Sequence, residues 1–564
     1  MPREVYGNAS DSMNRLRDIF TFSDAFPLIF TQVDFWIFFV IAYLVFASVH
    51  QRIRLRNLYL LLISLFFYYK TSGLFVGLLL FTTLSNFYLG AGVHRTPSKS
   101  AKVLLISFSV ALNLFVLSYF KYAYFFTEAV NTLFGTHWEV SHWLAAWGNR
   151  LSQANYFTVD LIVLPVGISF YLFQSITYVV DIYRGKLAPL RSPTDFALFV
   201  SFFPQLVAGP IVRAGDFIPQ ISQPTQISKV DFNAGTFLIL KGMIKKMIFA
   251  DYLAMHFMDK VFDAPAMFTG FTNVMALIGY SLQIYGDFSG YTDIAIGLAL
   301  LMGFRLPLNF NSPYKAMNTS DFWRRWHISL SSFLKDYLYI PLGGNKRSSP
   351  ASWVITLLII AGVVLASGAS WLSAGLILGT LVFVSLALMF PGLRKHFVMN
   401  INIMLTMLIG GLWHGASWKF VIWGGLNGVG ILVYKYWRRI SPWERSDRRL
   451  AVFWKILLTF SFITFTRIYF RGESMEHISA WYRQVFYNIG WDTALRVLWE
   501  YRLIFAVMGL GYVTHWLPTK LKVRIEELWN RSPMVIKVLL ASATGILCYQ
   551  AYSASFQPFI YFQF

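Results

Sequence analysis

The stretch INIMLTMLIGGLWHGASWKFVIWGGLNGVGIL, Ile401–Leu432, is largely apolar and carries His414 between Trp413 and Gly415. About 20 apolar residues suffice to cross a bilayer as a helix, so the stretch belongs in a membrane. An ionisable side chain there is costly, roughly 2.5–3.5 kcal/mol for charged types. A neutral imidazole costs less, but it still needs a hydrogen-bond partner, a cavity or a reaction. Gly410, Gly411 and Gly415 leave room beside it for a neighbouring helix or a substrate.

The rest of the chain extends this reading. Of 564 residues, 56% are hydrophobic, 18% aromatic and only 13% charged. Soluble domains carry about 25% charged residues. The mean hydropathy is +0.53, and 54 Phe, 30 Tyr and 19 Trp suit wide lipid-facing surfaces with aromatic belts. The fold class is therefore all-α, a polytopic helical membrane protein. Apolar segments recur near 28–49, 58–89, 103–126, 159–180, 196–212, 232–252, 274–303, 353–366, 372–390, 401–434, 452–469, 503–516 and 535–552. Their lengths predict roughly eleven to thirteen membrane segments, some of them re-entrant.

No long hydrophilic stretch builds a second domain, so residues 27–564 read as one membrane domain. Residues 1–26 read as a polar N-terminal arm or interfacial helix and lack the pattern of a signal peptide. The net charge of +21 lies in short clusters between apolar segments, which fits positive-inside topology and anionic lipid rather than nucleic acid. Arg52, Arg54 and Arg56, Lys245-Lys246, Arg324-Arg325, Lys346-Arg347, Arg394-Lys395 and Arg438-Arg439 are expected to mark cytoplasmic ends. The single Cys548 makes no internal disulfide, and no Cys/His cluster has metal spacing.

The connection Asn309–Arg347, NFNSPYKAMNTSDFWRRWHISLSSFLKDYLYIPLGGNKR, is too polar to span lipid, yet rich in aromatic residues. Such a segment lies on the membrane or dips into a protein-lined cavity. Thr319 or Ser320 is expected to cap a helix starting near Asp321, and Gly343-Gly344 to end the run. It carries a second histidine, His327. A neutral imidazole accepts a proton from a hydroxyl as that oxygen attacks an acyl carbon, and a second imidazole orients the first or stabilises the oxyanion. On spacing alone, a structural hydrogen-bonding or ligand-site role without acid–base duty is the stronger reading. Asp287 and Asp293 interrupt another apolar region. They suit ion pairing, with Arg324 or Arg325 for instance, or a water-filled pocket.

Five ordered motifs now matter together: LPVGISFYLFQSITYVVDIYRG (164–185), FFPQLVAGPIVR (202–213), YGDFSGYTDIAIGLALLMGF (285–304), FWRRWHISLSSFLKDYLYIPLGGN (322–345) and GGLWHGASW (410–418). Together they resemble the membrane-bound O-acyltransferase (MBOAT) family, in particular its bacterial alginate O-acetylation and D-alanyl-transfer branch. Residues 558–564 also look like the end of alginate-type members. The resemblance implies a membrane-piercing tunnel with His414 as the principal catalytic residue and His327 as its partner. Trp323, Trp326 and Trp413, together with Asp287 and Asp293, become expected tunnel residues. Arg324, Arg325 and Lys335 become expected contacts for donor phosphates. The implied activity is O-acetyl transfer from cytoplasmic acetyl-CoA toward an extracytoplasmic polysaccharide at the bacterial inner membrane. No bound cofactor or metal is implied, and an extracytoplasmic SGNH-type partner is. Transfer from a carrier-protein thioester, or transport without bond formation, are the competing readings. An apolar hairpin at about 351–392 departs from the family pattern and is expected at the periphery.

Overall fold

The computed structural model describes residue 22 and residues 27–153, 158–347, 349–367, 379, 389 and 391–551. The expected N-terminal arm, the 558–564 motif and the second arm of the 351–392 hairpin fall outside these residues. The first arm is a helix, Pro350–Ser367. Every regular element among the described residues is helical.

Five described helices are long and apolar enough to cross a membrane: Ile53–Arg95, Lys99–Phe134, His396–His414, Arg449–Arg471 and Met534–Ala551. A sixth is formed if Ala494–Glu500 and Arg502–Trp516, bent by 83°, are one broken span. The sequence suggested about twice as many. Part of the difference is that Val33–Val49 and Pro350–Ile360 are apolar but shorter and that most of 372–390 lies outside the described residues; the rest lies in central helices, which are buried in protein and carry small and polar side chains. Gly270–Leu301, 32 residues long, buries Asn273, Ser281, Asp287, Ser289 and Thr292 along its length. Protein rather than lipid surrounds it, and that environment tolerates polar groups which find partners.

The apolar run 196–212 does not form one span. It breaks into Pro193–Ser201 and Phe203–Leu206, both wholly or largely buried. Pro204 and Pro210 cannot donate backbone hydrogen bonds, so a straight helix fails here. Gly209 passes close to the backbone of Gln205 and Pro204, each oxygen 3.0 Å from where a Cβ would stand.

Lys245-Lys246 also departs from expectation. The pair lies in a π-helical turn, Ile244–Tyr252, inside a continuous helical run rather than at a helix end. Lys246 is buried and bonds Asp251 at 2.7 Å and Asp287 at 2.5 Å. Arg56 is likewise fully buried and donates to the carbonyls of Ile221 (2.6 Å) and Gln223 (2.8 Å). These cations cross-link the fold.

Helices Pro391–His414 and Trp418–Ile440 form a tight hairpin. At Gly411 a Cβ would strike the Phe420 carbonyl and stand 3.0 Å from the Gly424 Cα. The small residues flanking His414 therefore serve close helix approach.

Candidate active site

His414 ends its helix at the tip of this hairpin and is almost fully buried. Its ring packs edge-on against Trp413 (centroids 4.9 Å), Trp423 (5.0 Å) and Phe470 (5.4 Å). His327 arrives from the connection 309–347, which folds into the protein instead of lying on a membrane surface. Asn318, rather than Thr319 or Ser320, caps its first helix, Thr319–Arg325, accepting the Asp321 N–H at 2.8 Å. A second short helix, Ile328–Phe333, follows at once. His327 stands at the corner between them with φ +45°, a left-handed backbone uncommon outside glycine. Gly343 and Gly344, both with positive φ, close the run as expected.

His327 is fully buried, and its Nδ1 lies 3.1 Å from Asn309 Oδ1. The same oxygen accepts the Ser329 N–H (3.1 Å) and the Ser329 hydroxyl (2.9 Å). A backbone N–H can only donate, so that atom is an acceptor and the His327 Nδ1 carries the proton. The ring lone pair then resides on Nε2, the tautomer a proton acceptor needs. Phe288 holds the ring edge-on at 4.6 Å.

Trp413 brings the two imidazoles into one site. Its indole is 5.9 Å from the His327 ring and 4.9 Å from the His414 ring, centroid to centroid. A mostly apolar cavity of about 190 Å³ reaches His414 between the hairpin and the 309–347 connection. Trp323, Leu334, Lys335, Met407 and Trp423 help line it. A smaller void beside His414 is lined by Trp326, Trp423, Asn427 and Arg467. A third cavity, about 50 Å³, is lined by Lys121, Ser169, Trp413 and the Leu164–Ile168 loop. Cavities thus approach the Trp413-His414 pair from more than one direction.

The other expected residues divide. Trp323, Trp326, Trp413 and Lys335 line these spaces. Asp287 and Asp293 are not among the lining residues. Asp287 pairs with Lys246, and Asp293 with Lys245 (2.7 Å) and Lys241 (3.4 Å). Their ion pairing was foreseen, but with lysines rather than with Arg324 or Arg325. Arg325 bonds Asp321 at 3.0 Å, and Arg324 reaches back to the Ser320 carbonyl. Neither arginine lines the 190 Å³ cavity.

Four residues were missed. Asn309 orients His327 as described. Lys121 lies in a π-helical turn, Ser118–Tyr122, and donates to the Trp413 carbonyl at 2.7 Å and the His414 carbonyl at 3.5 Å. Beside it the Tyr122 hydroxyl donates to the Leu412 carbonyl at 3.0 Å. Together they satisfy the exposed carbonyls that end the His414 helix. Arg467 is buried over Trp326 (4.9 Å) and donates to the Tyr314 hydroxyl and the Ser281 carbonyl. A lone cation in an apolar segment is the same signal that singled out His414. It was legible at Lys121 and Arg467.

With this geometry in view, comparison with known proteins gives one answer. Residues 112–371 match the model of MBOAT, the membrane-bound O-acyltransferase family. The chain is 33% identical to a probable alginate O-acetylase AlgI of Pseudomonas putida, over 91% of this chain and 95% of that protein. It is 33% identical to the peptidoglycan O-acetyltransferase of Helicobacter pylori, over 74% of this chain and 72% of that protein. The teichoic acid D-alanyltransferase of Bacillus subtilis is 25% identical, over 55% of this chain and 70% of that protein. The chain belongs to the membrane-bound O-acyltransferase family and is a membrane acyltransferase, not a passive transporter.

Proposed function

We propose that this protein moves acetyl groups from cytoplasmic acetyl-CoA toward an extracytoplasmic polysaccharide at the bacterial inner membrane, with a partner protein completing delivery. The observation that carries the reading is the placing of two buried imidazoles about Trp413, with a mostly apolar cavity reaching His414. The helices lining that cavity run back to Arg394-Lys395 and Arg438-Arg439, sequence positions that the positive-inside rule assigns to the cytoplasm. The relatives named as O-acetylases support acetyl as the group transferred.

In this reading the thioester enters along the apolar cavity. His414 takes the proton of an acceptor hydroxyl as its oxygen attacks the acyl carbon. The new C–O bond forms, the C–S bond breaks, and the thiolate leaves with the returned proton. His327, held as the Nδ1–H tautomer by Asn309, orients or assists the first imidazole. Water exclusion by the aromatic walls limits hydrolysis of the thioester.

A second reading changes only the donor, to a D-alanyl or other carrier-protein thioester, and rests on the Bacillus subtilis relative. Reconstituted protein supplied with labelled acetyl-CoA separates the two. Label appearing in a partner or glycan supports the acetyl-CoA reading. Label transferred only from a charged carrier protein supports the second.

A further inference from the structure

Four lysines from three stretches gather away from the histidine site. Lys241 and Lys245 both bind Asp293 Oδ2, at 3.4 and 2.7 Å. Lys315, in the turn Pro313–Lys315, donates to the Leu517 carbonyl at 2.7 Å. Lys522, from the helix Thr519–Arg531, donates to the Ser312 hydroxyl at 3.1 Å and the His515 carbonyl at 2.8 Å. Each ammonium has three N–H donors, more than these contacts use.

The cluster is over-charged. Among the described residues Asp293 is the one carboxylate bonded within it, and the exposed Glu526 lies within electrostatic reach of Lys241. Arg325 adds a further positive charge near Lys315. Partial burial, then the charges of Lys315, Lys245 and Lys241, push the Lys522 ammonium down to about 8. Like charges held together in this way are costly unless an anion joins them.

The backbone is committed to the arrangement as well. Ser312 has φ +44° and ψ +63°, one of three non-glycine residues with positive φ among those described; His327 is another. That strain places the Ser312 hydroxyl on Lys522. The helix bearing Lys522 exposes Leu521, Val523, Ile525 and Leu528 alongside its charges, a composition suited to the headgroup region of a membrane.

We propose that Lys241, Lys245, Lys315 and Lys522 form a phosphate-binding notch, taking the phosphate of an anionic lipid headgroup or of a soluble phosphorylated compound. Ammonium–phosphate contacts are charge-assisted, and a phosphate has enough acceptor oxygens to bridge several lysines at once. The notch is separate from the His414 cavity, so its test does not depend on the acyl-transfer reading.

The experiment uses the full chain and the variants K315Q/K522Q and K315R/K522R. One arm measures, by native mass spectrometry, phosphatidylglycerol retained from mixed phosphatidylglycerol–phosphatidylcholine nanodiscs. The other titrates inorganic pyrophosphate into protein in pure phosphatidylcholine nanodiscs. The native chain is expected to bind one probe about tenfold better than K315Q/K522Q, with K315R/K522R close to native. A drop confined to phosphatidylglycerol identifies a lipid headgroup, and a drop confined to pyrophosphate a soluble phosphate. If K315Q/K522Q does not elute as folded protein, K241Q is read by the same criteria. Equal binding by native and Gln variants, or no binding of either probe to the native chain, overturns the proposal.

Discussion

Asn309 Oδ1 holds the Nδ1–H of His327 at 3.1 Å while also accepting both donors of Ser329. One amide oxygen thus sets the tautomer of the ring and fastens the corner on which it sits. Asn309→Ala should leave a buried backbone N–H without its acceptor, costing about 1–3 kcal/mol of stability. Acyl transfer should fall at least about tenfold, since a mis-set base loses the proton-transfer contribution. Asn309→Asp keeps the acceptor and should retain more activity than the alanine variant. Thermal unfolding and initial rates of acyl transfer on the three proteins check this. Equal rates for N309A and the native chain would remove Asn309 from the site.

Lys121 binds the carbonyls that end the His414 helix. Replacing it with Met removes the charged donor from that helix end. K121M should lower the acyl-transfer rate at least about tenfold. K121R should recover part of the loss, because a guanidinium also donates to carbonyls. Rates measured on equal amounts of folded protein give the answer, and a fully active K121M would show that the contact is dispensable.

The hairpin depends on a glycine contact. A side chain at Gly411 would meet the Phe420 carbonyl and the Gly424 backbone. Gly411→Val should destabilise the protein by about 1–3 kcal/mol through overpacking. Gly77→Ala, where nothing lies within 4 Å, should leave the unfolding temperature unchanged. Thermal scans of the two variants in the same detergent make the comparison.

Lys246 is buried between Asp251 and Asp287. Removing one partner of a buried pair typically costs about 3–5 kcal/mol, because the remaining charge is left in low dielectric. K246M should therefore unfold at a clearly lower temperature than the native chain. Adding Asp287→Asn to K246M should restore part of that loss. A double variant no more stable than K246M would point away from Asp287 as the stranded charge.

The helical class was legible from a local signal, whereas pairing His327 with His414 and placing Trp323, Trp326 and Trp413 beside them came from the resemblance of five ordered motifs. Apolar runs announce burial in lipid, and an imidazole within one stands out. The central helices were less legible. Burial in protein permits Asn273, Ser281 and Asp287, so Gly270–Leu301 does not carry the hydropathy of a lipid-facing span. Lys245-Lys246 looked like a topological marker because two of its three carboxylate partners, Asp287 and Asp293, lie some 40 residues or more away along the chain. Asn309 was hidden for the same reason, since only the fold of the 309–347 connection brings its amide to His327.

The central claim is that His414 performs acyl transfer. The most direct measurement compares native protein and His414→Ala, reconstituted at equal amounts with labelled acetyl-CoA and a glycan-modifying membrane extract. H414A is expected to fold, stay in the membrane and transfer no label above background. Transfer of label by H414A at the native rate would contradict that claim.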